Sequence, residues 1–265
     1  MESIPFFTQN LATTWAGTFV MMSIFFLSYI LTKKIAVIDL FWGPIHLIQL
    51  LFFIVFSGIK ISIPGYVYVG FVTVWAFRLS AYLFIRSIGA PDDPRYLKLA
   101  KGWSGSLLTN VLFRIFYIQM LVSFVTSSTL LIGASQLDQL SLGAMNLIGF
   151  GVAFFGVVYE SVADYQLFQF KKSKIKKVKV MRDGLWKYSR HPNYFGEILF
   201  WWGMWLSSFG LDYWGFGILT PIVITYLLTR FSGVPMLEER HKDNPEYLEY
   251  IKITNTLIPG PRGHV

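Results

Sequence analysis

The most regular feature of this chain is the alternation of long apolar runs with short polar segments. Seven apolar runs approach or exceed the roughly 20 residues that a helix needs to cross a bilayer. They are Leu11–Thr32, Ile35–Gly58, Tyr66–Ile85, Leu107–Gly133, Leu142–Phe168, Tyr194–Phe209 and Tyr213–Phe231, of which the sixth is the shortest. Because apolar residues are continuous within each run, they indicate helices rather than barrel strands. The pattern predicts an all-α, polytopic membrane protein with seven transmembrane helices.

Composition supports lipid as the main solvent of this chain. Of its 265 residues, 54% are hydrophobic and 14% are charged, whereas soluble domains carry about 25% charged residues. The chain has no cysteine, which excludes disulfides and thiolate metal ligands. No pair of histidines stands at i and i+4, and we predict no metal site.

The basic residues predict an orientation. The net charge is +8, and 20 of the 23 basic residues fall in alternate polar segments, whereas Lys60 stands alone on the other side. The positive-inside rule then places the N-terminus outside and the C-terminus in the cytoplasm. Because the positive charges are confined to loops, they favour a membrane over a nucleic acid as the partner.

The second run carries polar residues on one helical face. Asp39, Trp42, Gly43 and His46 stand at i, i+3, i+4 and i+7. Ionisable groups within membrane segments commonly mark sites or pathways. Interhelical polar contacts are the alternative, and for His46 alone a hydrogen-bonded packing role stays equally open.

The segment from Gly184 to Glu197 is polar and leads directly into an apolar run. Pro192 suits the first turn of a helix, which Asn193 or His191 can cap. The unpaired N–H groups of such a helix start favour an anion such as phosphate. In the predicted orientation this segment shares the cytoplasmic side with the acidic i, i+4 pair Glu160 and Asp164, which indicates a polar cavity suited to an anionic cofactor.

Three glycines in the fifth run superficially resemble a dinucleotide-binding motif. Gly149, Gly151 and Gly156 do not have the spacing of a dinucleotide-binding fingerprint, and they lie within a membrane run. Close helix packing is their predicted role.

Four blocks of sequence carry a family resemblance. They are Asp39–Gly43; Trp75–Tyr82 with Asp92–Tyr96; Gly184–Glu197 followed by Trp201–Gly203; and Ser232–Glu239 with Tyr247, Tyr250 and Pro259. Together they resemble the DUF1295 membrane proteins, which are related to the steroid 5α-reductases. Isoprenylcysteine carboxyl methyltransferases and phospholipid methyltransferases have a segment similar to residues 190–194, but the fourth block favours DUF1295.

The resemblance implies a seven-helix bundle whose inner half binds NADPH. Arg78, Asp164, Asn193, Glu197 and Arg230 match the reductases' cofactor residues, whereas Glu160 and Lys171 replace an Asn and an Arg. The complete set of implied cofactor-binding residues is Arg78, Arg95, Tyr96, Glu160, Asp164, Lys171, Tyr188, Arg190, His191, Asn193, Tyr194, Glu197, Arg230 and Glu238.

The chain departs from the steroid reductases where those enzymes hold the substrate carbonyl. Their glutamate in the second helix and tyrosine in the third align with Trp42 and Trp75, which are the expected substrate-binding residues here. The proton donor must then be another group, and Asp39, His46 and Tyr82 are the catalytic candidates.

The resemblance implies an NADPH-dependent oxidoreductase acting on CH–CH groups. It would reduce a carbonyl-conjugated C=C bond in an apolar, steroid-like small molecule. One membrane domain, residues 1–265, would hold the substrate on helices one to four (11–133) and the cofactor on helices five to seven with the C-terminal tail (142–265).

Two other functions stay open from the sequence. One is an S-adenosylmethionine-dependent methyltransferase acting on a lipid or isoprenylcysteine; the other is a non-catalytic lipid-binding membrane protein. Short loops and the lack of an export signal favour a bacterial inner membrane over the endoplasmic reticulum.

Overall fold

The chain is helical throughout the part that the structure describes. This computed structural model describes residues 3–172 and 180–263, with side chains from residue 7 onward, and contains no strand in those ranges. Its α-helices are α1 Ser3–Thr32, α2 Trp42–Ser57, α3 Ile63–Ser87, α4 Pro94–Ala100, α5 Leu107–Val111, α6 Ile118–Thr126, α7 Ser128–Ala134, α8 Ala144–Lys172, α9 Pro192–Ser207, α10 Leu219–Tyr226, α11 Val234–Arg240 and α12 Pro245–Ile253. Short 3₁₀ or π segments extend several of them.

Six stretches of the described residues are long and apolar enough to cross a bilayer. They are Phe7–Thr32, Ile35–Ser57, Ile63–Ser87, Leu107–Thr126, Ala144–Lys172 and Trp214–Arg240. The predicted sixth run corresponds to α9, whose 16 residues extend about 24 Å, less than the hydrocarbon thickness of about 30 Å. The all-helical membrane class is confirmed, while the seventh span and the orientation stay predictions.

Apolar side chains cover the outer surface of these helices. Leu31 is 83% exposed, Val55 is 71% exposed and Phe77 is 67% exposed. Exposure of so many large apolar residues would promote association in water, but it is the expected state of a surface in contact with lipid chains.

The chain divides into two compact units. Unit 1 contains Met1–Asn146 and Ser207–Thr220, and unit 2 contains Leu147–Leu206 and Pro221–Val265. Side-chain hydrogen bonds explain why the segment 207–220 belongs to unit 1. Thr129 on α7 donates its hydroxyl hydrogen to the Gly217 carbonyl at 2.6 Å, and its backbone N–H donates to the Thr220 hydroxyl at 3.0 Å.

Unit 1 has a core between α1, α2 and the π segment before α6. Buried members include Phe26, Ile45 and Phe116, and the Phe26 and Phe116 rings meet edge to face at 5.3 Å. A carboxylate fixes the entry to α2, because Asp92 accepts hydrogen bonds from the backbone N–H groups of Ile35 and Ala36, both at 2.8 Å. The loop before α4 is thereby tied to the segment that carries Asp39.

Candidate functional site

In unit 2, glycines bring α8 and α9 into close contact. A Cβ atom on Gly156 would lie 2.5 Å from the backbone nitrogen of Phe200, and one on Gly196 would lie 2.7 Å from the Cβ of Glu160. The predicted packing role of Gly156 is confirmed, whereas a Cβ on Gly151 would meet no atom within 4 Å. This contact sets the buried Glu160 side chain against α9.

The polar segment before α9 is anchored on α8. Gly184 has a φ of +59°, a left-handed conformation that suits glycine, and a Cβ there would lie 2.5 Å from Gln166 Oε1. Beside it, the N–H of Leu185 donates to Gln166 Oε1 at 3.0 Å, and the Trp186 indole N–H donates to the Ala163 carbonyl at 3.1 Å. These contacts fix the start of the segment that precedes α9 against α8.

Arg190 binds the C-terminal part of unit 2. Its Nε and Nη2 donate to Glu238 Oε1 at 2.9 and 2.8 Å. Nη1 donates to the Thr254 carbonyl at 2.5 Å and the Ile251 carbonyl at 3.3 Å, and Nη2 also donates to Thr256 Oγ1 at 2.8 Å. Since all three guanidinium nitrogens have protein partners, this geometry favours a positioning role over direct contact with a cofactor.

Other contacts join the same two segments. The buried Tyr250 hydroxyl donates to the Trp186 carbonyl, and Ser189 Oγ donates to the Leu257 carbonyl at 2.8 Å. The backbone N–H of Arg190 donates to the Asn255 carbonyl at 2.8 Å. The tail after α12 therefore holds the segment that precedes α9.

His191 is fully buried beside the same carboxylate. Its Nε2 lies 3.4 Å from Glu238 Oε1, and its ring is parallel to that of Tyr194, with a 4° interplanar angle. Burial lowers the pKa of His191 below its ordinary 6.5, and Glu238 offsets this only in part. His191 is therefore neutral at pH 7.

Three buried carboxylates and one half-buried carboxamide of unit 2 lie on α8 and α9. Asn193 Nδ2 donates to Asp164 Oδ1 at 3.2 Å, and the Trp201 indole N–H donates to Glu197 Oε1 at 2.9 Å. Glu160, Asp164 and Glu197 are each at most 7% exposed. The predicted carboxylates thus lie buried on α8 and α9, and the structure joins Asp164 to Asn193.

Two cations predicted to bind the cofactor lie at the surface of unit 2. Arg230 is exposed in the π segment after α10, and Lys171 is exposed in the last turn of α8. Arg230 forms no ion pair with any residue that the structure describes. Tyr188 is 44% exposed, with the Lys187 ammonium 5.7 Å from its ring centre.

In unit 1, Asp39 lies in a polar cluster with the loop between α3 and α4. Its Oδ1 accepts from the Tyr96 hydroxyl at 2.5 Å, and its Oδ2 accepts from Arg95 Nη2 at 3.1 Å. Arg95 also contacts Asp93 at 3.0 Å. Burial and the neighbouring Asp39 charge raise the pKa of Tyr96 well above 10, so Tyr96 stays protonated as a donor.

His46 has both ring nitrogens engaged within unit 1. Nδ1 lies 2.7 Å from the Trp42 carbonyl and Nε2 lies 2.8 Å from Thr126 Oγ1. The carbonyl can only accept, so Nδ1 carries the hydrogen, and the Thr126 hydroxyl that faces Nε2 is also within donating distance of the Val122 carbonyl at 3.0 Å. The Trp42 and Trp75 rings meet His46 edge to face at 4.9 and 5.6 Å. This arrangement favours the packing interpretation of His46.

Tyr82 lies between two cations on α3. The guanidinium carbons of Arg78 and Arg86 are each 6.0 Å from its ring centre. The i, i+4 spacing of these residues on one helix produces the arrangement. Tyr82 is half-buried, unlike the fully enclosed His46.

Sequence reasoning missed the continuation of this polar face to Gln49. Gln49 Nε2 donates to Ser123 Oγ at 3.1 Å, and Ser127 Oγ donates to Gln49 Oε1. All three residues are fully buried. The signal was present, because Gln49 stands three residues after His46 on the face already identified.

Within the described part of the chain, these residues form no metal cluster, and a cavity near the end of α9 lies apart from them in sequence. Within the described ranges no group of three or more His, Cys, Asp or Glu side chains is arranged to hold a metal. A cavity of about 560 Å³ is lined by residues 209–216 of unit 1, which include none of the predicted site residues.

The four sequence blocks meet in pairs. In unit 1, Asp39 contacts Arg95 and Tyr96 of the second block. In unit 2, Arg190 and His191 of the third block contact Glu238 of the fourth. The family resemblance therefore marks two internally bonded clusters, one in each unit.

Comparisons with known proteins agree with the resemblance. Over 114 residues the chain is 31% identical to "3-oxo-5-alpha-steroid 4-dehydrogenase 1" of Bos taurus, covering 43% of this chain and 41% of that protein. The match therefore spans less than half of the relative's length. No solved structure matches the chain. Residues 12–254 match the family described as "Protein of unknown function (DUF1295)", and the chain belongs to that family.

Proposed function

We propose that this chain is an NADPH-dependent membrane reductase that reduces a carbonyl-conjugated C=C bond in an apolar, steroid-like substrate. The observation that carries the proposal is the burial of three carboxylates on α8 and α9, Glu160, Asp164 and Glu197. Asp164 accepts a hydrogen bond from the half-buried Asn193. Buried carboxylates in a membrane protein are costly and commonly functional. The similarity to a steroid dehydrogenase supports a reductase, and the bilayer supplies the apolar substrate.

The donor set of unit 2 fits NADPH. Carboxylates accept hydrogen bonds from sugar hydroxyls and amides, and a carboxamide both donates and accepts. The exposed cations Arg230 and Lys171 suit phosphate groups. We propose that Asn193, Asp164 and Glu197 hold uncharged polar groups of the cofactor and that the two cations bind its phosphates.

When bound, NADPH supplies a hydride. The chain supplies orientation, exclusion of water and an acid for the oxygen that gains charge; such an acid contributes about 10²–10⁴-fold. Of the three acid candidates, Asp39 is engaged with Arg95 and Tyr96, and both nitrogens of His46 are paired. We assign the role to Tyr82, whose phenolate would be stabilised by Arg78 and Arg86.

Asn193→Ala and Arg230→Met are expected to weaken NADPH binding. Loss of the carboxamide removes the hydrogen bond that joins Asn193 to Asp164 and a proposed contact with the cofactor, and loss of the guanidinium removes a proposed charge-assisted phosphate contact. Losses of about 1–3 kcal/mol correspond to roughly 5- to 150-fold in Kd. Isothermal titration of the detergent-solubilised protein measures them.

Arg240→Met is the matched control for the cation. Arg240 is exposed at the end of α11 and belongs to the same unit, but we assign it no cofactor contact. Unchanged NADPH affinity in both the Asn193 and Arg230 variants would remove this site assignment. A loss in the Arg240 variant as large as in the Arg230 variant would show a nonspecific charge effect.

A further inference from the structure

The two ring nitrogens of His191 have different chemical states. Nε2 faces Glu238 Oε1 at 3.4 Å, and a carboxylate only accepts hydrogen bonds, so Nε2 carries the hydrogen. The buried ring is neutral at pH 7 and holds a single N–H hydrogen. Nδ1 must then present a bare lone pair.

That lone pair is buried and has no partner among the residues that the structure describes. His191 is 0% exposed, and leaving a buried acceptor without a donor is unfavourable. The adjacent cation cannot supply the donor, because every guanidinium nitrogen of Arg190 is engaged elsewhere. The parallel Tyr194 ring holds the imidazole plane in place.

The chemistry of Nδ1 restricts what it can bind. A bare lone pair repels a phosphate oxygen and attracts an N–H or O–H group. Asn193, two residues further along the chain, is half-buried and donates to the buried Asp164 carboxylate, so the start of α9 carries a carboxamide that is paired with a carboxylate. This combination favours an uncharged polar group over the phosphate that the helix start alone predicts.

We infer that His191 Nδ1 accepts a hydrogen bond from a sugar hydroxyl or a carboxamide N–H of the nucleotide, whereas His191 Nε2 serves to hold Glu238. This inference rests on the proposed function, since it names the part of the cofactor that this side chain recognises. His191 is therefore a ligand-selecting residue, and Arg190 is a positioning residue that keeps Glu238 in place.

Two amide substitutions separate the roles of the two nitrogens. His191→Gln places an amide nitrogen near the Nε2 position and removes the acceptor at Nδ1. His191→Asn places an amide oxygen near the Nδ1 position and removes the contact with Glu238. We expect His191→Gln to weaken NADPH binding about tenfold with little change in melting temperature, and His191→Asn to melt earlier while binding within about threefold of wild type.

Calorimetric titration of wild type, His191→Gln and His191→Asn with NADPH tests whether Nδ1 binds the nucleotide. Equal loss of affinity in both variants, or no loss in His191→Gln, would overturn the inference and leave His191 as a packing residue. Failure of the wild type itself to bind NADPH would instead remove the proposed function, and this inference with it. The two failures are distinguished by the wild-type titration.

An analogue identifies the donor. The 3-acetylpyridine analogue of NADP carries a methyl ketone in place of the carboxamide and has no amide N–H. If it binds wild type and His191→Gln equally, the donor is the carboxamide. If it loses affinity in His191→Gln as NADPH does, the donor is a sugar hydroxyl. Gain of affinity in His191→Gln for both nucleotides would contradict a donor at Nδ1.

Discussion

Replacement of Arg190 by methionine is expected to release the C-terminal part of unit 2. The side chain is 8% exposed and donates to Glu238, Thr256 and two backbone carbonyls. Glu238, the charged partner that remains, is half-buried at 26% exposure, so losing the ion pair together with the hydrogen bonds to Thr256 and the carbonyls costs about 1–3 kcal/mol. The backbone N–H of the substituted residue still reaches Asn255, so the loss falls on the side-chain contacts.

Limited trypsin digestion in detergent measures this release. Cleavage after Lys242, which precedes α12, and after Lys252, in the last turn of α12, is expected to be much faster in Arg190→Met than in wild type. Lys187→Gln is the control, because it removes an exposed cation from the same segment. The double variant Arg190→Met/Glu238→Met is expected to recover part of the stability, since no half-buried carboxylate is then left without its cation. If trypsin digests Arg190→Met at the same rate as wild type, Arg190 does not have the positioning role that we assign to it.

Gly156→Ala is expected to lower the melting temperature by several degrees. The added methyl group would lie 2.5 Å from the Phe200 nitrogen and 2.7 Å from the Gly196 carbonyl oxygen. Backbone atoms cannot rotate away as a side chain can, so α8 and α9 must separate. Such overpacking costs about 1–3 kcal/mol, and the separation would also displace Glu160.

Gly151→Ala provides the comparison on the same helix. It adds the same methyl group at an open position and improves helix propensity by up to about 1 kcal/mol. Thermal denaturation of both variants in one detergent is expected to show destabilisation at Gly156 and none at Gly151. Equal melting temperatures for the two variants would show that the α8–α9 contact is not close.

The apolar pattern was sufficient to predict the helices, because lipid requires long continuous apolar segments. One exception is the fourth run, predicted as Leu107–Gly133, whose span ends at Thr126 because the helix breaks before α7. Another is the sixth run, where polar chemistry determines the helix. Pro192 begins α9, and Gly210, with a φ of +87°, follows its end. The helix is therefore shorter than a usual span, and hydropathy alone does not decide whether it crosses.

The kinds of residue in the site were predictable, but their partners were not. Ionisable side chains within apolar runs are recognisable in the sequence, because burying a charged group is energetically unfavourable and such residues are commonly functional. Arg190, however, meets Glu238 and Thr256, which are 48 and 66 residues away in sequence, and no periodicity relates such positions. Only the fold shows that its donors are all engaged.

His46 illustrates the same limit on α2. The i, i+3, i+4 and i+7 spacing predicted one helical face, but Asp39 lies in the 3₁₀ segment Ile35–Phe41 that precedes α2. A catalytic role for His46 needs an accessible nitrogen, and the hydroxyl beside Nε2 comes from Thr126, 80 residues later. Tyr82 keeps its candidacy because its neighbours on α3 are two cations.

Thermal denaturation of the wild-type, detergent-solubilised protein with NADPH and, in parallel, with S-adenosylmethionine is the direct test of the proposed cofactor. A ligand that binds only the folded state raises the melting temperature. We expect NADPH to raise the melting temperature and S-adenosylmethionine to leave it unchanged. Stabilisation by S-adenosylmethionine alone would contradict the reductase and support a methyltransferase, and stabilisation by neither would favour a non-catalytic lipid-binding protein.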